Sequence, residues 1–218
     1  MRIVLVGHGT AHPAGQQVGR RITEAVAAAL PADEIVWAWA DVVEPRLDAV
    51  LTAAPADVVV PIFLASGYHV RTDIPSVINS VGGRCRLTPA VGPDLVPALR
   101  DRLTEAEARH GRVDALVLGA AGSSRADAVA EVVAAADRLA ELIDRPVTTG
   151  FVSAATPRVD AAVAQVRAAY GRVGLVSWLL AEGHFHDQLC AVGADLVTAP
   201  IADHPVLIET VLDRIGVA

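Results

Sequence analysis

The sequence predicts an α/β protein made of two homologous βα modules, each a mainly parallel sheet flanked by helices, with an active-site cleft between them. Three observations predict it. Short apolar runs alternate with Ala-rich amphipathic stretches along the whole chain, the order expected of βα units. The runs are continuous in Val, Ile and Leu rather than alternating with polar residues, so their strands are buried on both faces, as in parallel sheets. Finally, the order of blocks repeats at a nearly constant offset, which divides the chain into modules 1–111 and 112–218, joined at "RHGR" (109–112).

Taken in order, "RIVLVG" (2–7) is the first strand, and the apolar positions of 15–30 recur at helical spacing. "EIVWAWA" (34–40), "DVVVPIFL" (57–64) and "RCRLT" (84–88) supply three more strands, and 95–109 is a second amphipathic helix. The second module begins again with a strand, "VDALVLG" (113–119), and a helix, 126–143. "PVTTGF" (146–151), a helix over 157–170, "RVGLVSWLL" (172–180) and "DLVT" (195–198) complete it.

The internal repeat is visible in three blocks. "RIVLVGHGT" (2–10) answers to "DALVLGAAGSS" (114–124), and "VVVPIFLASGYH" (58–69) to "RVGLVSWLLAEGHF" (172–185). "TPAVGPDLVPALRDRL" (88–103) answers to "TAPIADHPVLIETVLDRI" (198–215). The offsets are 112 for Gly7/Gly119, 116 for Gly67/Gly183 and 112 for Asp101/Asp213, so His8 aligns with Ala120 and His69 with Phe185. The second copy keeps the pattern and lacks both imidazoles, so the chemistry is expected in module one, with module two completing the cleft.

Composition narrows the function. The chain has 218 residues and is 53% hydrophobic, yet no apolar run approaches the ~18–20 residues that a membrane span needs. The first residues lack a basic stretch followed by a long apolar segment, so no signal peptide is expected. Net charge is −7 and no basic stripe is present, which argues against nucleic acid as a partner. All 18 cationic residues are arginine, so any anion held by side-chain charge is held by guanidinium forks, which suit carboxylates. Cys85 and Cys190 stand singly in apolar surroundings and read as structural thiols of a reducing compartment. The expected location is the cytoplasm.

Ligands in open parallel sheets sit beyond the carboxyl ends of the strands. Those ends carry "VGHGTAHPAG" (6–15), the residues after Ala40, and "FLASGYHVRTDIP" (63–75) in module one. The first loop is neither GxGxxG nor GxxxxGK[ST], which counts against a nucleotide-binding protein. It does place His8 at one strand end, and the third loop places His69 at another. Two neutral imidazoles facing one cleft bind a borderline divalent metal or accept a proton near neutral pH. Asp73 is placed to cap a helix or to orient a histidine, and Pro75 fits a first helical turn.

"VGHGT", "FLASGYHVRTDIP" and the doubled module together resemble the sirohydrochlorin chelatase family, in its long two-module form. "GAAGSSRAD" and "LLAEGHFHDQL" resemble that family's second-half motifs. The resemblance implies insertion of Fe²⁺ (slightly preferred) or Co²⁺ into sirohydrochlorin, in siroheme or cobalamin biosynthesis, without ATP. It implies His8 and His69 as the catalytic and metal-binding pair, and no permanently bound cofactor, the metal being a substrate. Two imidazoles are weak enough ligands to surrender an ion, whereas three or four tight ligands make a structural trap. Sirohydrochlorin carries carboxylates, for which Arg71, Arg125, Ser123 and Ser124 are the candidate donors. His184 and His186, in "GHFHDQ", depart from the usual family pattern and are candidates for auxiliary metal capture. The chain is expected to work as a monomer or homodimer; a non-catalytic metal or tetrapyrrole carrier with the same fold is the alternative.

Overall fold

The computed structural model describes residues 1–216. It contains two four-stranded sheets, parallel throughout, among the described residues. The first joins β1 (Arg2–Gly7), β2 (Glu34–Trp39), β3 (Val58–Pro61) and β4 (Arg86–Leu87) in the order β2-β1-β3-β4. The second joins β5 (Ala115–Ala120), β6 (Val147–Phe151), β7 (Val173–Trp178) and β8 (Leu196–Val197) in the order β6-β5-β7-β8. The helices are α1 (Pro13–Ala29), α2 (Leu47–Ala53), α3 (Ile74–Ser80), α4 (Val96–His110), α5 (Ala126–Ile143), α6 (Val159–Tyr170), α7 (His184–Ala191) and α8 (Pro205–Ile215). The expected two-module α/β fold is present, and no described helix is long and apolar enough to cross a membrane.

The continuous apolar runs are the central strands. Ile3, Val4, Leu5 and Val6 of β1 and Leu116, Val117 and Leu118 of β5 are wholly buried, as strands covered on both faces must be. Helix α1 turns Val18, Gly19, Ile22 and Val26 inward, and α5 turns Ala128, Val132, Ala135, Ala136 and Leu139 inward, the spacing of one helical face. Pro13 opens α1, where a missing N–H costs nothing, and Gly111 ends α4 at φ 82. The run 57–64 makes a shorter ladder than its hydropathy suggests. Beyond Pro61, Ile62 is still buried and bonds once to Val6, but the chain then leaves the sheet toward the functional loop.

The compact units differ from the sequence modules 1–111 and 112–218. One unit is 1–94 with 203–218, the other 95–202. Helix α4 therefore belongs to the second unit and α8 to the first. In the second, Arg145 forks onto Glu107 of α4 at 2.5 and 3.2 Å and bonds the Val113 carbonyl at 3.0 Å. Burial raises the Glu107 pKa, yet Arg145 and the Val113 N–H together hold it below the usual carboxylate value. In the first, Arg86 donates to the carbonyls of Arg214 and Ile215 at 2.9 and 2.7 Å, satisfying the end of α8. Both cysteines are free thiols.

The repeat extends to the loops. Asp41 N donates to the His8 carbonyl at 3.0 Å, and Ser153 N to the Ala121 carbonyl at 2.8 Å. Gly9 (φ +117) lies so close to the Asp41 carbonyl that a Cβ would meet it at 2.0 Å; Gly122 (φ +97) stands likewise against Ser153 at 1.8 Å. The peptides Glu44–Pro45 and Thr156–Pro157 are both cis. This register corrects the sequence alignment: His8 corresponds to Ala121, not Ala120, because Gly7 and Ala120 are the residues whose carbonyls accept from Ala40 and Val152.

These contacts separate two costs of adding a methyl group. Gly82→Ala meets only a positive φ (+77), with nothing within 4 Å, and should lose about 1–2 kcal/mol. Gly122→Ala adds the displacement of the Ser153 carbonyl and should lose more in urea unfolding; equal losses would contradict the close approach.

Candidate functional site

His8 is the first residue beyond β1, and His69 begins a π-helical turn, His69–Asp73, that follows β3. The two strands are adjacent, with Ile3 opposite Val58 and Val6 opposite Pro61. They are also where the strand order reverses, since the chain runs from β1 to β2 on one side and returns to β3 on the other. Such a switch point opens a crevice at the carboxyl ends. There the two imidazole centroids lie 4.5 Å apart, edge to face at 88°. Phe63 completes a three-ring cluster, at 6.1 Å from His8 and 6.3 Å from His69.

The π-turn has a local cause. Pro75 carries no N–H and its ring would press on the carbonyl four residues back, so a tight α-turn is disfavoured ahead of it. Ile74 N instead reaches the His69 carbonyl, five residues back. Asp73 sits at φ −69, ψ −50 and makes no side-chain cap. Of the two roles its position allowed, it takes the second: His69 Nδ1 and Asp73 Oδ2 are 2.6 Å apart. His8 is held less firmly, its Nδ1 3.3 Å from the Gly9 carbonyl.

The electrostatics distinguish the histidines. One side of His8 is exposed, yet its pKa is held below the usual imidazole value. Desolvation by the surrounding protein is the main cause and the neighbouring His69 the second, opposed by the Gly9 carbonyl and the Asp41 carboxylate. Asp41 itself is lowered, chiefly by the Val42 N–H at 2.7 Å, with Arg46, His69 and His8 contributing. In the sequence a strand ends after Ala40 but no pattern marks Asp41, and Phe63 falls within an apolar run that reads as strand.

The other expected site residues are dispersed. Arg71 is exposed and donates from Nε to the Ser66 carbonyl at 2.9 Å. Arg125 is already committed to a carboxylate, bonding Asp127 at 3.0 and 2.7 Å. Ser123 Oγ accepts from Arg125 N at 3.1 Å, and Ser124 is exposed. His184 and His186 begin α7 rather than lying in a loop, and two positions apart on a helix they diverge. His184 pairs with Gln188 at 2.7 Å, while His186 Nε2 meets the Thr198 carbonyl at 3.1 Å. His12 makes no side-chain cap at the start of α1, and His204 caps α8. No group of three or more His, Cys, Asp or Glu is placed to hold a metal among the described residues. The His8–His69 pair is thus an open, two-imidazole arrangement.

A lowered pKa keeps His8 neutral, and able to ligate, until the pH falls through that lower value. Followed by NMR, the His8 ring should titrate below the ordinary value of about 6.5. His69→Ala should move the midpoint upward, since both named causes weaken. A wild-type midpoint at or above the ordinary value would contradict this account.

The description "CbiX" belongs to a family model that matches residues 2–106 and again 115–218, one match per repeat. A sirohydrochlorin cobaltochelatase from Methanopyrus kandleri is 37% identical over 82 residues, which are 35% of this chain and 57% of that protein. The match therefore spans little more than half of that relative's length. Among solved structures, SirB from Bacillus subtilis with Fe³⁺ superposes with a TM-score of 0.80 at 22% identity, covering 98% of this chain and 93% of that one. CbiX, described as the terminal enzyme for biosynthesis of siroheme in denitrifying bacteria, gives 0.74 at 22% identity, covering 100% and 99%. These structures share the fold, and the family match over both repeats settles membership: the chain belongs to the CbiX family.

Proposed function

We propose that this protein is a sirohydrochlorin chelatase, inserting Fe²⁺ or Co²⁺ into sirohydrochlorin without ATP. The observation that carries the reading is the pair of imidazoles 4.5 Å apart at the switch point, unaccompanied by a fuller ligand set among the described residues. Insertion requires an ion held loosely enough to leave for four pyrrole nitrogens, and two imidazoles with water meet that need. Insertion also breaks two pyrrole N–H bonds; the electron pairs go to the metal–nitrogen bonds, and the protons need an acceptor whose pKa lies near the working pH. Imidazole serves both steps.

The repeat supports the same reading. At the positions of His8 and His69 the second unit has Ala121 and Phe185, so only the first retains the pair. Sirohydrochlorin cobaltochelatase is the name of the Methanopyrus kandleri relative, and an iron-bound SirB shares the fold. Iron, for siroheme, is our preferred substrate; imidazole accepts either ion. Arg71, Ser123, Ser124 and Arg125 are proposed as donors to the substrate carboxylates, Arg125 after exchanging Asp127 for a substrate carboxylate. We place the protein in the cytoplasm.

The test is metal insertion by the purified protein, read from the absorbance change of sirohydrochlorin under anaerobic conditions. Wild type should accelerate insertion of Fe²⁺ or Co²⁺ with no nucleotide present. His8→Ala and His69→Ala should each reduce kcat by about 10²–10⁴-fold, the range for loss of a general base. Binding of sirohydrochlorin without acceleration of either metal would instead identify a carrier.

Arg125→Ala and Arg71→Ala should raise KM for sirohydrochlorin and leave kcat within a few-fold of wild type, the pattern of lost uniform binding. An unchanged KM in both variants would remove the arginines from the carboxylate-binding role.

A further inference from the structure

We propose that Asp73 is a positioning residue that fixes His69 with its proton on Nδ1 and so presents a bare Nε2 to the entering metal and to the pyrrole protons. The inference rests on the chelatase reading for its catalytic consequence, and on geometry alone for its structural part. A carboxylate only accepts hydrogen bonds. With Asp73 Oδ2 2.6 Å from His69 Nδ1, that nitrogen must carry the proton, and in neutral imidazole the lone pair is then on Nε2. A carboxylate behind a ligating histidine fixes both its tautomer and its ring orientation.

Two observations separate this role from an architectural one. Asp73 has helical backbone angles and caps nothing, so its side chain has no helix-initiating duty. The π-turn that begins at His69 brings residues 69 and 73 onto one face.

The two imidazoles are consequently unequal. His69 is locked by a short bond to a carboxylate, whereas the Nδ1 of His8 meets only a backbone carbonyl at 3.3 Å. His69 presents one nitrogen in one orientation; His8 retains freedom to follow the ion.

The experiment pairs nitrogen-15 NMR of the histidine rings with metal-insertion kinetics, on wild type, Asp73→Ala and Asp73→Glu, circular dichroism confirming that each is folded. Wild type should show the Nδ1–H form of His69. Asp73→Ala should populate both tautomers and lose about 10–100-fold in kcat, with KM for sirohydrochlorin little changed. Asp73→Glu should recover the Nδ1–H signal and part of the rate. An Asp73→Ala protein that keeps the wild-type tautomer overturns the proposal, whether or not its rate falls, and so does an unchanged kcat with a scrambled tautomer. If wild type inserts no metal, the chelatase reading fails, while the spectra still decide whether Asp73 sets the tautomer.

Discussion

The pairing of β1 with β3 is the constraint from which the site follows. Adjacent strands lie about 4.8 Å apart, and the parallel register sends both out of the sheet at the same end. Residues just past those ends are therefore neighbours, which is how side chains sixty-one positions apart in sequence reach a ring separation of 4.5 Å. The strands are fully buried over Ile3–Val6 and Val59–Val60, so a slip of either would draw its polar flank, Arg2 or Asp57, into the core. Gly9 allows the His8 loop to press on the Asp41 carbonyl, and Asp73 holds His69 from behind.

What the duplication preserved and what it lost are equally informative. Sheet order, the glycine approach after the first strand and the cis-proline turn occur in both units. They belong to the scaffold that the two units share. His8 and Asp41 correspond to Ala121 and Ser153, and His69 aligns with Phe185, so the imidazole pair and the Asp41 carboxylate occur only in the first unit.

Much of this was legible in the sequence, because buried parallel strands leave continuous apolar runs and long helices leave periodic ones. The order of elements and the repeat were both readable, and His8 and His69 stood out as polar residues where apolar runs stopped. Other features left no such mark. Helix α2 is too short, at seven residues, to establish a period. Alignment by residue identity slipped by one place in "LGAAGSS", where Gly and Ala are interchangeable by eye and only hydrogen-bond register tells Ala120 from Ala121. The grouping of α4 with the second unit and α8 with the first depends on long-range packing of their buried apolar faces, with Arg145 and Arg86 reaching them from distant sequence. Asp41 lies in an irregular loop whose course is set by its contact with Gly9, a contact no local pattern encodes.

A metal-delivery role makes the imidazole pair the place where the ion rests before transfer. Crystals soaked in Co²⁺ alone and measured at the cobalt absorption edge address this directly. The account predicts one anomalous peak per chain within about 2.1 Å of a ring nitrogen of both His8 and His69, its remaining positions filled by water. A peak at His184 or His186 with none at His8 and His69 would contradict it.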